Sequence, residues 1–518
     1  MDVLLSAAGE VLTFYHLMLM TIALVLGIIA GALPGFSATM AVALMVPFTF
    51  TMPPTSGLVT IGALYCGSIF GGSFSAILLN TPGTPSSIGT TFDGYPMARQ
   101  GRGEEALYTA TMASCVGGLI GTVILIAFAL PLARVALRFG PPELFWVAIF
   151  GLTIIASLSE ESLLKGIAGG FLGLMISMIG IAPVGGDVRF DLGIVDFQGG
   201  VELISVLIGF FCIPEILRMA FNPALDYEEV KAEEGTAAKP KASPLRAAWH
   251  SVMAVKHWGN VLRSSLIGAF IGILPGAGGS IANLVAYNET KRVAKDPETF
   301  GKGNPQGVVA TESANNAVVG GSMVPLLALG VPGSPPAAII YGALLLQGLT
   351  PGAELFTSRG DITYAFLFSF FVANIMLVIF GLPSGRWIYK TVVNIPARVL
   401  VPSILLLTVV GSYAIRSNAM DVIVMFICGI LGYILRELEF NAGPIVLGLI
   451  LGPIAEKGFV QGLIIGNSIS TDMPWLIFFT RPLCIVLIVL SLLSACWPLF
   501  RTMMSKKKAA KAAQGGAS

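Results

Sequence analysis

Four short stretches carry the bent backbone and polar side chains from which a binding site could be built. They are Leu33-Pro-Gly-Phe-Ser-Ala-Thr39, Asn80-Thr-Pro-Gly-Thr-Pro85, Leu274-Pro-Gly-Ala-Gly-Gly-Ser280 and Gly330-Val-Pro-Gly-Ser-Pro335. In the third, an apolar run breaks at Pro275-Gly276, passes Gly278 and Gly279, and turns apolar again after Ser280, with Asn283 following. Proline removes a backbone donor and glycine admits conformations closed to other residues, so a helix stops and restarts there. A restarting helix presents free N–H groups and the positive end of its dipole. Each such end favours an anion by about 0.3–1 kcal/mol, and by up to about 2 when partly buried. Ser37, Thr39, Asn80, Thr81, Thr84, Ser86, Ser87, Ser280, Asn283 and Ser334 add short donors that reach carboxylate oxygens. Gly35, Gly83, Gly276, Gly278, Gly279 and Gly333 open the backbone itself to a ligand. The chemistry offered is capture of an anion. Unwound carbonyls beside Gly35 and Gly276–Gly279 equally suit a sodium ion, and the sequence does not show which.

Each pattern has a plainer reading. Gly27-x-x-x-Gly31 and Gly268-x-x-x-Gly272 match the spacing that lets membrane helices approach closely. The second and fourth stretches fit ordinary interhelical turns, or the tips of re-entrant hairpins with proline at the first position of the returning helix. Thr311-Glu-Ser-Ala-Asn-Asn316 opens an apolar segment, and Glu312 is its only carboxylate. It reads either as a functional intramembrane acid or as a capping box at a helix start. Asn288 and Glu289 share that ambiguity.

The breaks occur in pairs, which favours function. Gly27-x-x-x-Gly31-x-Leu33-Pro34-Gly35 matches Gly268-x-x-x-Gly272-x-Leu274-Pro275-Gly276 at an offset of 241 (268 − 27). Gly71 with Pro82-Gly83-Thr84-Pro85 matches Gly321 with Pro332-Gly333-Ser334-Pro335 at an offset of 250 (332 − 82). Pro142 with Pro396, and Gly170-x-x-Gly173 with Gly429-x-x-Gly432, are weaker anchors. Paired halves with interrupted apolar segments at corresponding positions point to the binding site of a secondary transporter.

The elements that must position these residues are membrane helices. The 518 residues are 55% hydrophobic and 11% charged with mean hydropathy +0.83, against about 25% charged for a soluble domain. Apolar segments long enough to span predict an all-α polytopic membrane protein. About 12 transmembrane segments are expected, in two homologous halves with discontinuous or re-entrant helices. The expected divisions are a first half at 1–221, a polar linker at 222–257, a second half at 258–470, and a C-terminal helix with a basic tail at 471–518. The stretch Thr90–Glu105 reads as a polar loop. The N-terminus lacks the positive region of a secretory signal, so its first apolar segment is expected to be retained. Arg501, Lys506, Lys507, Lys508 and Lys511 place the tail in the cytoplasm by the positive-inside rule.

Other function classes fail on specific grounds. The net charge of +1, without a basic stripe, gives no sign of nucleic-acid binding. Six cysteines stand singly in mostly apolar runs and three histidines lie apart, so neither a metal site nor a disulfide framework is indicated. There is no phosphate-binding G-x-x-x-x-G-K-[ST] and no H-E-x-x-H. Val184-Gly-Gly-Asp187 lacks the first glycine of an aspartyl intramembrane protease signature, leaving Asp187 as a loop residue. No enzyme activity is expected, and no cofactor.

The four stretches together resemble the large permease subunit of tripartite tricarboxylate transporters, the TctA family, and the likeness runs from about Val11 to Phe500. The resemblance implies a bacterial inner-membrane protein driven by a sodium or proton gradient. It also implies a small membrane subunit, a periplasmic solute-binding protein, and a tricarboxylate or related organic carboxylate as substrate. With the paired breaks, this predicts import by alternating access, with an elevator-like slide and a site between the halves near the bilayer midplane. The alternatives are a stand-alone organic-anion symporter and a channel. The chain lacks the charge rings and carbonyl-filter motif of a channel.

Overall fold

The computed structural model describes residues 2–158, 163–221, 243–254, 257–276, 278–391, 395 and 397–495. These are almost wholly helical. The first helices are α1 (Asp2–Val11), α2 (Phe14–Ala32), α3 (Ala38–Thr49), α4 (Pro54–Leu79), α5 (Thr90–Met97) and α6 (Gly103–Ala136). Then come α7 (Pro141–Leu158), α8 (Leu163–Ser177), α9 (Val195–Gln198), α10 (Leu203–Phe221) and α11 (Pro244–Met253). After these run α12 (Trp258–Ile273), α13 (Gly278–Val293), α14 (Pro305–Leu329), α15 (Pro335–Leu346), α16 (Ala353–Thr357) and α17 (Gly360–Thr391). The last are α18 (Ala397–Arg416), α19 (Ala419–Glu437), α20 (Ala442–Ile469), α21 (Ile477–Thr480) and α22 (Pro482–Ala495). The departure from an all-α chain is a small antiparallel hairpin that pairs Gly180 with Arg189 and Ile181 with Val188.

Two compact units emerge, and each is built from two separate segments of the chain. One holds Met1–Ala136 with Ile204–Tyr433, the other Leu137–Leu203 with Ile434–Ser518.

In the first unit α2 packs along α4, and α12 packs along α14. The two pairs end alike. Leu33 closes α2 at φ −77 and ψ 116, and Leu274 closes α12 at φ −78 and ψ 119. Gly35 (φ 83) and Gly276 (φ 78) then turn left-handed. Asn80 (φ 53) and Gly330 (φ 72) are left-handed caps of α4 and α14, a region that asparagine tolerates better than most residues. A β-carbon on Gly83 would collide with the Gly31 carbonyl, and one on Gly333 with the Gly272 carbonyl. Only glycine lets the backbone after each break return this close to the helix before it. Pro85 opens a short 3₁₀ turn, Pro85–Ser87, and Pro335 opens α15, so both prolines stand where a missing N–H costs nothing.

Helices α4 and α14 are buried along most of their length. That burial admits Thr311, Glu312, Ser313, Asn315 and Asn316 into a helix that a lipid-facing position would forbid.

Eight helices among the described residues are long and apolar enough to cross a membrane, or nine if the segment bent by 73° at Pro474–Thr480 and Pro482–Ala495 is one span. This is fewer than the twelve expected. Several apolar helices are shorter than a span: α3 and α15, each following a Pro-Gly break, have only 12 residues and reach about 18 Å. The expected polar loop at Thr90–Glu105 is instead helical through α5 and a π turn at Ala98–Arg102, with Thr90 and Asp93 buried. Within the expected linker, Pro244–Met253 form α11, while 222–242 and 255–256 lie outside the described residues, as does the basic tail.

In the second unit α20 packs along α7 and α8. Glu143, 1% exposed, accepts from Arg481 Nε at 2.5 Å and from the Gly140 N–H at 2.9 Å. Arg189 grips Glu456 through two bonds of 2.6 and 2.9 Å.

Candidate functional site

The richest polar cluster in the first unit forms where three elements meet: the Pro85–Ser87 turn, the start of α13, and the middle of α14. Asn283 Nδ2 on α13 donates to the Ser86 carbonyl at 2.9 Å. A β-carbon on Gly279 would stand 2.5 Å from Ser86 Cβ and 3.1 Å from Asn315 Oδ1, so the three elements close on one another through that glycine. A β-carbon on Gly89 would run into Asn283 Oδ1 and lie 3.1 Å from Thr311 Cγ2, which brings the entry to α5 to the same place.

Glu312 has no exposed surface. Thr90 Oγ1, on the first residue of α5, donates to its Oε1 at 2.6 Å, and Ser114 Oγ on α6 donates to its Oε2 at 2.9 Å. Both partners are neutral. Around it, Asn315 and Asn316 leave both amide atoms without a hydrogen-bond partner, and Ser313 Oγ and Asn283 Oδ1 are also unpaired. Unpaired buried polar atoms cost about 1–3 kcal/mol each. A cluster of them beside a buried carboxylate marks a place shaped for a polar guest rather than for stability.

Asp93 holds this corner in register. Its Oδ1 accepts from the backbone N–H groups of Gly301, Gly303 and Asn304 at 2.9, 2.9 and 2.8 Å. Its Oδ2 accepts from the Tyr287 hydroxyl at 3.0 Å. The carboxylate ties α5 to the loop after α13 and so orients Thr90, one turn earlier.

The residues singled out from sequence divide between places. Gly279 and Asn283 line the cluster, and Thr84 joins it through its hydroxyl, 3.0 Å from Ser86 Oγ. Ser280 is half-buried on the first turn of α13, and Gly278 (φ 59) faces open space. The Gly276 N–H donates to the Gly333 carbonyl at 3.2 Å, joining the third stretch to the fourth. Ser334 caps α15 and sits 3.1 Å from the Tyr65 hydroxyl, which also lies 3.3 Å from Ser322 Oγ. Gly83 is a packing position. Asn80 is exposed as a helix cap, and Thr81 Oγ1 donates to the Leu79 carbonyl at 3.2 Å. The first stretch lies elsewhere: Ser37 spends its hydroxyl capping α3, Thr39 is buried on α3, and Gly35 faces Met219 and Arg218.

Thr90 and Ser114 complete the cluster without having been singled out from sequence, whereas Glu312, Asn315 and Asn316 stood within Thr311–Asn316 and Ser86 among the short donors after the second break. Glu312 had two readings, and the capping box falls: Asn304 caps α14, accepting from the Gln306 N–H at 2.9 Å, and Glu312 sits two turns inside. The offset adds a signal that was there to be read. Glu312, Asn315 and Asn316 correspond to Gly62, Tyr65 and Cys66 (−250), Asn283 to Val42 (−241), and Ser86 and Thr90 to Pro336 and Ile340 (+250). The corresponding junction, where α3 meets α15, therefore carries the Tyr65 hydroxyl but neither a carboxylate nor an amide at the matching positions.

The profile of one family, described as the tripartite tricarboxylate transporter TctA family, matches residues 17–447. A protein of Agrobacterium vitis described as an uncharacterized 52.8 kDa protein in the TAR-I ttuC' 3' region is 35% identical over 488 residues, covering 94% of this chain and 93% of that one. A second from the same organism, described as an uncharacterized protein in the TAR-II ttuC' 3' region, is 36% identical over 241 residues, covering 46% of this chain and 97% of that one. No solved structure matches the chain.

Proposed function

Because the chain belongs to the tripartite tricarboxylate transporter TctA family, and so to a family of membrane transport proteins, we propose that it is the large permease subunit of a binding-protein-dependent importer. Its substrate on this reading is a tricarboxylate or related organic carboxylate. A periplasmic solute-binding protein delivers the substrate and a small membrane subunit completes the transporter in the bacterial inner membrane, with the C-terminal tail in the cytoplasm. Transport proceeds by alternating access, driven by a sodium or proton gradient. Two homologous halves supply about twelve membrane segments, some of them re-entrant through the Pro-Gly breaks.

The observation that carries this reading is the cluster at Ser86, Gly279, Asn283 and Asn315. There a restarting helix, α13, brings its positive end beside unpaired buried amides. Free N–H groups and asparagine donors suit carboxylate oxygens.

The test is uptake of radiolabelled organic acids into proteoliposomes. Chain reconstituted alone is expected to give little uptake, and addition of the small subunit and the loaded binding protein is expected to restore it. Full uptake by the chain alone would sink the three-component reading. A ligand screen on the cognate binding protein identifies the carboxylate.

A further inference from the structure

Glu312 poses a problem that the anion-binding role does not solve. It is an acidic group with no exposed surface, and its partners among the described residues are two neutral hydroxyls, Thr90 Oγ1 and Ser114 Oγ. A charge taken from water needs a countercharge, and no ion pair joins Glu312 to a basic side chain among the described residues. An anionic substrate held nearby would make matters worse, since two like charges repel strongly in a weakly screening interior.

The oxygens around it supply the answer. Asn283 Oδ1 and Asn315 Oδ1 are buried and accept from nothing. Asn315 lies one helical turn from Glu312 on α14, and Asn283 Oδ1 lies against Gly89, next to the Thr90 that binds the carboxylate. A carboxylate with amide and hydroxyl oxygens is a ligand set for a hard cation. Among the described residues no group of three His, Cys, Asp or Glu supplies the charge that a divalent ion would require. A proton would neutralise Glu312 but leave both amide oxygens as unpaired as before.

We propose that Glu312, with Asn315 and Asn283, binds one sodium ion beside the organic-anion site, so that the ion's charge permits the anion to enter. The site rests on the same cluster as the transport reading but not on the identity of the substrate. Ion and anion then bind cooperatively by linkage, each raising the affinity for the other.

The experiment measures ²²Na⁺ binding to the purified full-length chain at fixed pH in choline chloride, with no substrate and no other subunit. Saturable binding of about one ion per chain is expected, displaced by unlabelled sodium but not by choline. Glu312→Gln is expected to raise the half-saturating sodium concentration by more than about 100-fold, as removing one partner of a buried charge pair does. Glu312→Asp should retain saturable but weaker binding. If Glu312→Gln does not elute as a single folded species, Asn315→Ala takes its place, with a weakening of about tenfold expected. Wild-type binding by Glu312→Gln and Asn315→Ala overturns the proposal. So does absence of saturable sodium binding in the wild type, including the case where uptake follows pH without a sodium requirement. Sodium binding without organic-acid uptake in the complete transporter would strike the transport reading and leave this one standing.

Discussion

One methyl group at Gly279 should be enough to disable the site. Gly279→Ala sets a carbon 2.5 Å from Ser86 Cβ and 3.1 Å from Asn315 Oδ1. Carbon atoms rest at about 3.5–4.0 Å, so α13 and the Pro85–Ser87 turn must separate by about 1 Å. The Asn283 Nδ2 to Ser86 carbonyl bond, now 2.9 Å, would lengthen to about 4 Å, outside hydrogen-bonding range. Overpacking costs about 1–3 kcal/mol and the lost bond about 0.5–1.5 kcal/mol. Since about 1.4 kcal/mol is tenfold in affinity, uptake at low substrate should fall at least tenfold. Gly259→Ala, in the first turn of α12 with nothing within 4 Å of the new carbon, is the control. It should leave uptake within about twofold, because alanine is the better helix former by about 1 kcal/mol. The assay is the initial rate of labelled organic-acid uptake by cells expressing all subunits, normalised to the amount of chain in the membrane. A Gly279→Ala protein that transports as fast as Gly259→Ala would refute the assignment of this junction as the site.

Two further outcomes probe the supporting structure. Asp93→Asn keeps the shape but weakens three bonds to backbone N–H groups and presents an amide to the Tyr287 hydroxyl; about 2–4 kcal/mol should be lost, read as a lower Tm in detergent, and an unchanged Tm would contradict the clamp. In the second unit, Arg481→Ala strands the Glu143 carboxylate, 1% exposed. That should cost about 3 kcal/mol, and adding Glu143→Gln should restore most of the lost Tm; equal instability of single and double variants would rule out the stranded charge as the cause.

The breaks at Leu33-Pro34-Gly35 and Leu274-Pro275-Gly276 were legible because what stops a helix is local. Proline and glycine act through their own backbone, and the two breaks share dihedral angles to within a few degrees at Leu33 and Leu274. The stretch at Thr90–Glu105 was not legible as a helix. Its charged residues imitate a loop, yet Asp93 is buried because Gly301, Gly303 and Asn304, some 200 residues later, aim their N–H groups at it. Glu312 stood between two readings for a related reason: a carboxylate after a threonine looks the same at a helix start and two turns inside one. Only the placement of Asn304 as the cap separates them.

The chain's membrane character, its helix breaks and their pairing at constant offsets were determined by the sequence alone, since each follows from residue type and spacing along one chain. Which break meets which was decided only by the tertiary structure. Ser86, after the second break, meets Asn283, after the third, across a separation of 197 residues, and Gly276 of the third meets Gly333 of the fourth. Such pairings depend on how buried helices pack, through contacts that no local pattern encodes. That packing gathers the unpaired asparagines and Glu312 into one cluster and leaves the corresponding junction between α3 and α15 without a carboxylate or an amide at the matching positions.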